Sequence, residues 1–275
     1  MPADHEIVWI ACTHFGNPYR HAEGLEEIVQ YVARGSNRRA ALVGDIAEAI
    51  NPLDRRYEQG KHKQTITEQY GDAEDIFRPI RNKVLFACSG NHDSKVRHYG
   101  DMVKDIFCKH LRIPYGTVSC KLIVSDKSGK LMYKAFATHP HSGMIRSSNP
   151  DPIMREASEK SQLKRRLARE RMADCILNMA AHFHKAIVVK PFQELYLVDD
   201  GERIKQRYIA EAHATDEYID ENLRWYGSIP GWIKKYGELG TDGYTERAGY
   251  DPLPLGAIKT VVQGGKIVDM DKMLV

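Results

Sequence analysis

The sequence predicts an α/β domain with two sheet halves, and three observations predict it. Short apolar runs alternate with helix-spaced stretches in the first part of the chain, the pattern of βαβ units. Farther on, alternating runs come in pairs joined by polar or glycine-rich turns, the pattern of antiparallel hairpins. Several apolar runs also stop abruptly in chemistry-bearing residues, at the strand ends where open α/β sheets bind ligands.

Ile7 to Ala11 is rich in β-branched and aromatic residues and reads as a buried strand, ending in the loop Cys12 to Pro18. Leu25, Ile28, Val29 and Val32 then fall at helical spacing, with Gly35 placed as a C-cap. Ala40 to Val43 is the second strand and ends in Gly44-Asp45. Residues 51–64 are polar and mixed in charge, including Arg55, Lys61 and Lys63. They read as an insertion, either a solvated segment or a cationic rim for an anionic substrate.

Ile66 to Asn82 reads as a helix broken at Pro79, and Val84 to Cys88 as the third strand, delivering Ser89-Gly90-Asn91-His92-Asp93. Val96 to Leu111 reads as helical. Val118 to Val124 and Leu131 to Phe136 form an expected hairpin whose second strand runs on to His139. Glu156 to Ala180 reads as one long helix, with Lys160, Lys164, Arg165, Arg166, Arg169 and Arg171 as either a solvated or a phosphate-facing flank. His182 and His184 precede a strand over Ala186 to Val189. Glu194 to Val198 and Arg203 to Ile209 form a further hairpin. Residues 215–257 show no clear periodicity and read as an ordered C-terminal excursion. Ile258 to Val262 and Lys266 to Met270 close the chain as a last hairpin. A single domain over residues 1–275 is the simplest organisation.

The bulk properties bound the function. The chain has 275 residues, 42% hydrophobic and 28% charged, as in a soluble globular protein. A net charge of +3 permits an anionic substrate without the dense positive charge of a nucleic-acid coat. Five irregularly spaced cysteines argue against a disulfide framework. The polar N-terminus has no signal-peptide pattern, and no apolar run reaches membrane-spanning length. The expected location is the cytoplasm, the host's if the chain is phage-encoded.

The strand ends collect Cys12, His14, Asp45, Asn91, His92, Asp93, His139, His182 and His184. Taken singly, a histidine in a loop is more often structural, and an Asn-His-Asp run can cap a helix. Taken together they suit a site with more than one metal. On extended backbone, residues i and i+2 point the same way, so Cys12 with His14, and His182 with His184, each present two ligands to one place. Asp45 can bridge two ions, and His92 can donate a proton with Asp93 setting its orientation.

The order Cys12-x-His14, Gly44-Asp45, Gly90-Asn91-His92-Asp93, His139, His182-x-His184 resembles the calcineurin-like metallophosphoesterase superfamily, whose pattern is DxH, GD, GNH(D/E), H, GHxH. The resemblance spans about residues 7–190. It implies a four-layer α/β/β/α sandwich with two divalent metals, Zn, Fe or Mn, at the sheet edges. The first metal would be held by Cys12, His14, Asp45 and His184, and the second by Asp45, Asn91, His139 and His182. His92 would be the acid and Asp93 its partner.

Cys12 stands where the family has Asp, as in the RNA lariat debranching enzymes. A thiolate favours zinc or iron(II) over magnesium. Ala181 replaces the glycine of the last block. The C-terminal part looks like uncharacterised phage and bacterial phosphoesterases. The implied activity is hydrolysis of a nucleotide or nucleic-acid phosphodiester by metal-activated hydroxide. The alternatives are a phosphomonoesterase and a metal-stabilised binding protein without catalysis. No membrane partner is expected.

Overall fold

In the computed structural model, which describes residues 1–54, 56–169, 172–208, 217–236, 244–247 and 249–275, the chain forms two facing five-stranded sheets. Arg55, Arg171, Ile209 and parts of the 215–257 stretch lie outside the described residues, as does the side chain of Arg169.

The first sheet has the order β12-β11-β1-β2-β3. Its strands are β1 (His5–Ile10), β2 (Arg38–Val43), β3 (Val84–Cys88), β11 (Gly256–Gln263) and β12 (Lys266–Leu274). β1, β2 and β3 are parallel, and β11 runs antiparallel to β1. The second sheet has the order β4-β5-β6-β10-β7. It contains β4 (Ser119–Ser125), β5 (Leu131–Thr138), β6 (Leu177–Ala180), β7 (Ile187–Val189) and β10 (Trp225–Ser228). β5, β6 and β10 are parallel to one another. β8 (Leu195–Asp199) and β9 (Ile204–Tyr208) form a separate hairpin.

The alternation within β1 sets the layers. Ile7 and Trp9 face the second sheet, while Val8 and Ile10 join the cluster under the helices. β2 divides the same way, Ala41 and Val43 inward, Ala40 and Leu42 outward. Trp9 is wholly buried and donates its indole N–H to Thr260 Oγ1 at 2.9 Å. Burying a side chain of this size contributes about 1.5–3 kcal/mol, provided its polar atom finds a partner.

α1 (Ala22–Arg34) and α2 (Ile66–Phe77) cover the outer face of the first sheet through Leu25, Val29, Val32, Tyr70 and Phe77. α4 (Pro152–Arg169) covers the second sheet with Leu163 and Leu167 against Ile187 and Tyr226. The four-layer α/β/β/α order expected from the sequence is therefore the observed one.

Local departures have physical causes. α2 ends at Phe77, and Pro79 continues as the 3₁₀ turn Arg78–Lys83, because proline cannot donate into an α-helical ladder. The expected helix over 96–111 is broken by Gly100 at φ 118° into the 3₁₀ turn Asp93–Tyr99, a π-type turn Val103–Cys108 and the short α3 (Lys109–Leu111). Gly35 sits at φ −92° rather than in the left-handed C-cap conformation. The expected helix over 156–180 is wrong at its end: Leu177–Ala180 is a strand. These residues suit a helix locally, but all four are buried between β5 and β10, and tertiary packing overrides propensity. Trp225–Ser228, inside the stretch without periodicity, is likewise a fully buried strand. All five cysteines are free thiols. Among the described residues, no helix is long and apolar enough to cross a membrane.

Candidate metal centre

The carboxyl ends of β1, β2 and β3 meet those of β5 and β6. Cys12 and His14 follow β1, Asp45 follows β2, Asn91 and His92 follow β3, His139 follows β5, and His182 and His184 follow β6. Backbone bonds lace these turns together. Cys12 N–H donates to Gly44 O at 2.9 Å, His14 N–H to Asp45 O at 3.1 Å, and Trp232 N–H to Cys12 O at 3.2 Å.

Two glycines let the walls close on the side chains. A Cβ on Gly90 would fall 2.1 Å from Asp45 Oδ1, and one on Gly231 would fall 2.4 Å from His184 Nδ1.

Five of the candidate ligands hold left-handed backbone: Cys12 (φ 51°), His14 (47°), Asp45 (50°), His182 (76°) and His184 (55°). Such conformations cost of order 1–3 kcal/mol each and persist where the surroundings over-determine them, most often at functional sites. This corrects the expectation of extended backbone at the two i, i+2 pairs. Cys12, His14 and His184 lie together, all ligand atoms within 4.8 Å, and Cys12, Asp45 and His139 form a second such group. His182 diverges from His184, and its Nδ1 lies 2.8 Å from Asn91 Oδ1.

His139 Nε2 stands between the two halves, 3.5 Å from Cys12 Sγ and 3.3 Å from Asp45 Oδ2. A third group, His14, Glu48 and His92, adjoins the first two.

Glu48 was missed in the sequence. It is wholly buried, its Oε2 lies 2.8 Å from His14 Nδ1, and its Oε1 lies 3.6 Å from His92 Nδ1. The available signal was a lone charge three residues after Asp45 in the apolar run Ile46 to Ile50.

The expected pairing of Asp93 with His92 is replaced by another arrangement. The Asp93 carboxylate accepts from the N–H groups of Gly90 (2.8 Å), Ala47 (3.1 Å) and Ile46 (3.2 Å) and from the Tyr70 hydroxyl (2.7 Å). It clamps the β2 and β3 loops together. His92 instead donates from Nδ1 to the Glu48 carbonyl at 2.7 Å, which leaves Nε2 for the cleft side. Its own N–H donates to Asp45 Oδ1 at 2.7 Å.

The electrostatics suit cations. Burial raises the Cys12 thiol, but His184, His139 and His14 bring it well below its ordinary value. Burial opposes Asp45 ionisation too, yet His139, His92 and His14 hold it well below the usual carboxylate range. Glu48 falls to about 2 against burial, through His92 and His14. His14 rises to about 10 and His139 also rises, each against burial, because buried anions surround them. Burial lowers His182 to about 4 and also lowers His184, leaving neutral imidazoles suited to metal. Among the described residues, His14 Nε2, Glu48 Oε1 and His139 Nδ1 are buried without a hydrogen bond, while His14 Nδ1 and Glu48 Oε2 pair with each other at 2.8 Å. Buried polar atoms are otherwise nearly always paired. Three converging anions, neutral imidazoles and unsatisfied buried donors fit divalent metal ions.

Beside the centre lies a cleft of about 820 Å³, floored by Asp45, Asn91, His92, His182 and His184. Its cations are Arg146, Arg155, Lys185 and Lys235, not the stretches expected to form a basic rim. In 51–64, Arg56 pairs with Asp54 and Lys61 with Glu58. On α4, Lys160 pairs with Glu156, Lys164 bonds Asn222, and Arg166 bonds Ser142 O.

No family model and no curated protein matches the chain. Similar solved structures include calcineurin-like phosphoesterase YfkN from Bacillus subtilis, at 12% identity and TM-score 0.40 over 98% of this chain and 90% of that one. A Vps29 single mutant from Entamoeba histolytica is similar at 11% identity and TM-score 0.39, over 98% and 99% of the two chains. The Pseudomonas putida nuclease MPE is similar at 12% identity and TM-score 0.33, over 95% and 85%. These likenesses are loose, each at a TM-score of 0.40 or below.

Proposed function

We propose that this chain is a metal-dependent phosphoesterase of the calcineurin-like kind, with a two-metal centre acting on a phosphodiester. The observation that carries the reading is the set of five left-handed ligand-type residues at the carboxyl ends of three strands, surrounding buried polar atoms that lack hydrogen bonds. Strained backbone and orphaned donors are each unfavourable alone, and a bound cation accounts for both.

Cys12, His14, Asp45 and His184 would hold one metal, and Asp45, Asn91, His139 and His182 the other. Bound there, two divalent ions supply Lewis-acid activation of water and neutralise charge on the phosphoryl oxygens. The thiolate of Cys12 favours zinc or iron(II). His92 lines the cleft and is the residue for protonating the leaving oxygen at Nε2, since Nδ1 is committed to the Glu48 carbonyl. Glu48 positions His14 from below, and Asp93 holds the β3 loop in register with β2. A cleft of about 820 Å³ is far larger than a phosphate requires, which leaves room for an organic substrate beyond the phosphoryl group.

The test is hydrolysis of methyl p-nitrophenyl phosphate and p-nitrophenyl phosphate with added Zn, Fe(II) or Mn. Expected are turnover of the diester above the monoester and loss of about 10²–10⁴-fold in kcat for His92→Ala with metal content retained. Wild-type inactivity, or unchanged turnover in His92→Ala and Asp45→Ala, would overturn the reading and favour a binding protein.

A further inference from the structure

The lining of the cleft also carries an aromatic and cationic arrangement that the metal chemistry leaves unexplained. Tyr250 lines the cleft with 39% of its surface exposed. The Tyr236 hydroxyl donates to Tyr250 O at 3.0 Å. Arg146 brings its guanidinium carbon to 5.8 Å from the Tyr250 ring centre, and Lys235 its ammonium to 5.9 Å. Asp251 follows on the same lip. The other lining lysine, Lys185, is paired with Glu159 inside the wall.

We infer that Tyr250, Arg146 and Lys235 form a nucleoside subsite, so that the scissile phosphodiester belongs to a nucleotide chain. This rests on the phosphodiesterase reading of the same cleft. The chemistry is specific to that class. A flat aromatic face takes a nucleobase by stacking, whatever the base, and flanking cations take the neighbouring phosphate. Arg146 can also extend the stack with its own plane. Asp251 can accept from a ribose hydroxyl or a base N–H. A phosphorylated peptide would use the cations and leave the ring without a flat partner.

The test is binding to the full chain in chelator, which separates it from any hydrolysis. A fluorescein-labelled oligothymidylate is titrated and followed by anisotropy, beside a strand of equal length and charge that carries abasic tetrahydrofuran residues. Expected is binding of oligothymidylate about tenfold tighter than the abasic strand, with the difference lost in Tyr250→Ala and kept in Tyr250→Phe. Arg146→Ala should weaken both strands. Equal affinity of the two strands, or a preference that survives Tyr250→Ala, overturns the subsite and leaves charge alone, which a phosphopeptide would serve as well. Displacement by the dinucleotide TpT as effective as by the strand assigns a free dinucleotide as substrate, and much weaker displacement assigns a strand. Both outcomes keep the subsite.

Hydrolysis of methyl p-nitrophenyl phosphate, which has no base, is followed separately in the wild type. If that diester is not hydrolysed at all while the base preference stands, the catalytic reading fails and the subsite does not.

Discussion

His14 Nδ1 lies 2.8 Å from Glu48 Oε2, and neither side chain is more than 2% exposed. Glu48 also receives the His92 ring at its backbone carbonyl, so one residue sets two imidazoles. Glu48→Gln keeps the shape and removes the charge. Carboxylates behind metal-binding histidines typically contribute 10–100-fold in metal affinity or activity. A loss in that range is expected, with metal content falling alongside kcat/KM. Unchanged metal affinity, measured by competition with a chromogenic chelator, would count against this role.

Gly231 is the floor under His184. A methyl group there would fall 2.4 Å from His184 Nδ1, so Gly231→Ala must push the imidazole out. Over-packing of this kind costs about 1–3 kcal/mol. The expected result is a protein with unaltered circular dichroism and a lower melting temperature that retains less metal per chain. Full metal occupancy in the variant would show that His184 is dispensable.

In the proposed ligand set, Cys12 is the residue that sets which ions are preferred. Cys12→Asp replaces a soft thiolate with a hard carboxylate, which should shift preference from zinc or iron(II) towards manganese or magnesium. The check is the ratio of activities across a metal series, with elemental analysis of each loaded form. An unaltered ratio would place Cys12 outside the ligand set. In the wild type, chelation should abolish activity. Readdition of metal to about 100 times its dissociation constant should stabilise the fold by about 2.7 kcal/mol.

Asp174 joins Lys121 on β4 and Lys134 on β5, at 2.7 and 2.8 Å. Hydrogen bonds from the two lysines hold its carboxyl down to about 2. Because the folded value is depressed, the stabilisation is present above the unfolded value of about 3.9 and is lost as pH falls towards 2. The group is partly exposed, so the effect is about 0.5–1 kcal/mol. Asp174→Asn should lower the melting temperature at neutral pH, and the gap to wild type should close between about pH 4 and 2. A pH-independent gap would assign the effect to packing.

Much of the layer order was legible because β1, β2 and β3 carry period-two or fully apolar runs that end in glycine and polar residues. The candidate ligand residues stood out because each lies just past such an ending. What was not legible lies where burial overrides local preference. Leu177 to Ala180 suits a helix by composition and becomes a strand only because β5 and β10 flank it. Trp225 to Ser228 is too short and too mixed to announce a central strand. Asp93 beside His92 suggested a dyad by adjacency, whereas the 3₁₀ turn that begins at Asp93 sends its carboxylate under the β2 loop. Glu48 had no neighbour in sequence that would disclose its partners.

The Phe192 N–H donates to Asn222 O at 2.7 Å, which draws the two ends of the segment carrying the β8–β9 hairpin together into a neck. On one side of that neck stands β7 and on the other β10, which are hydrogen-bonded neighbours, with Val189 opposite Tyr226. The β8–β9 hairpin is thus an appendix on a finished sheet. It is a natural seam for exchange, where a peptide of a few residues, or a whole foreign domain, could be spliced in while the two five-stranded sheets keep their form.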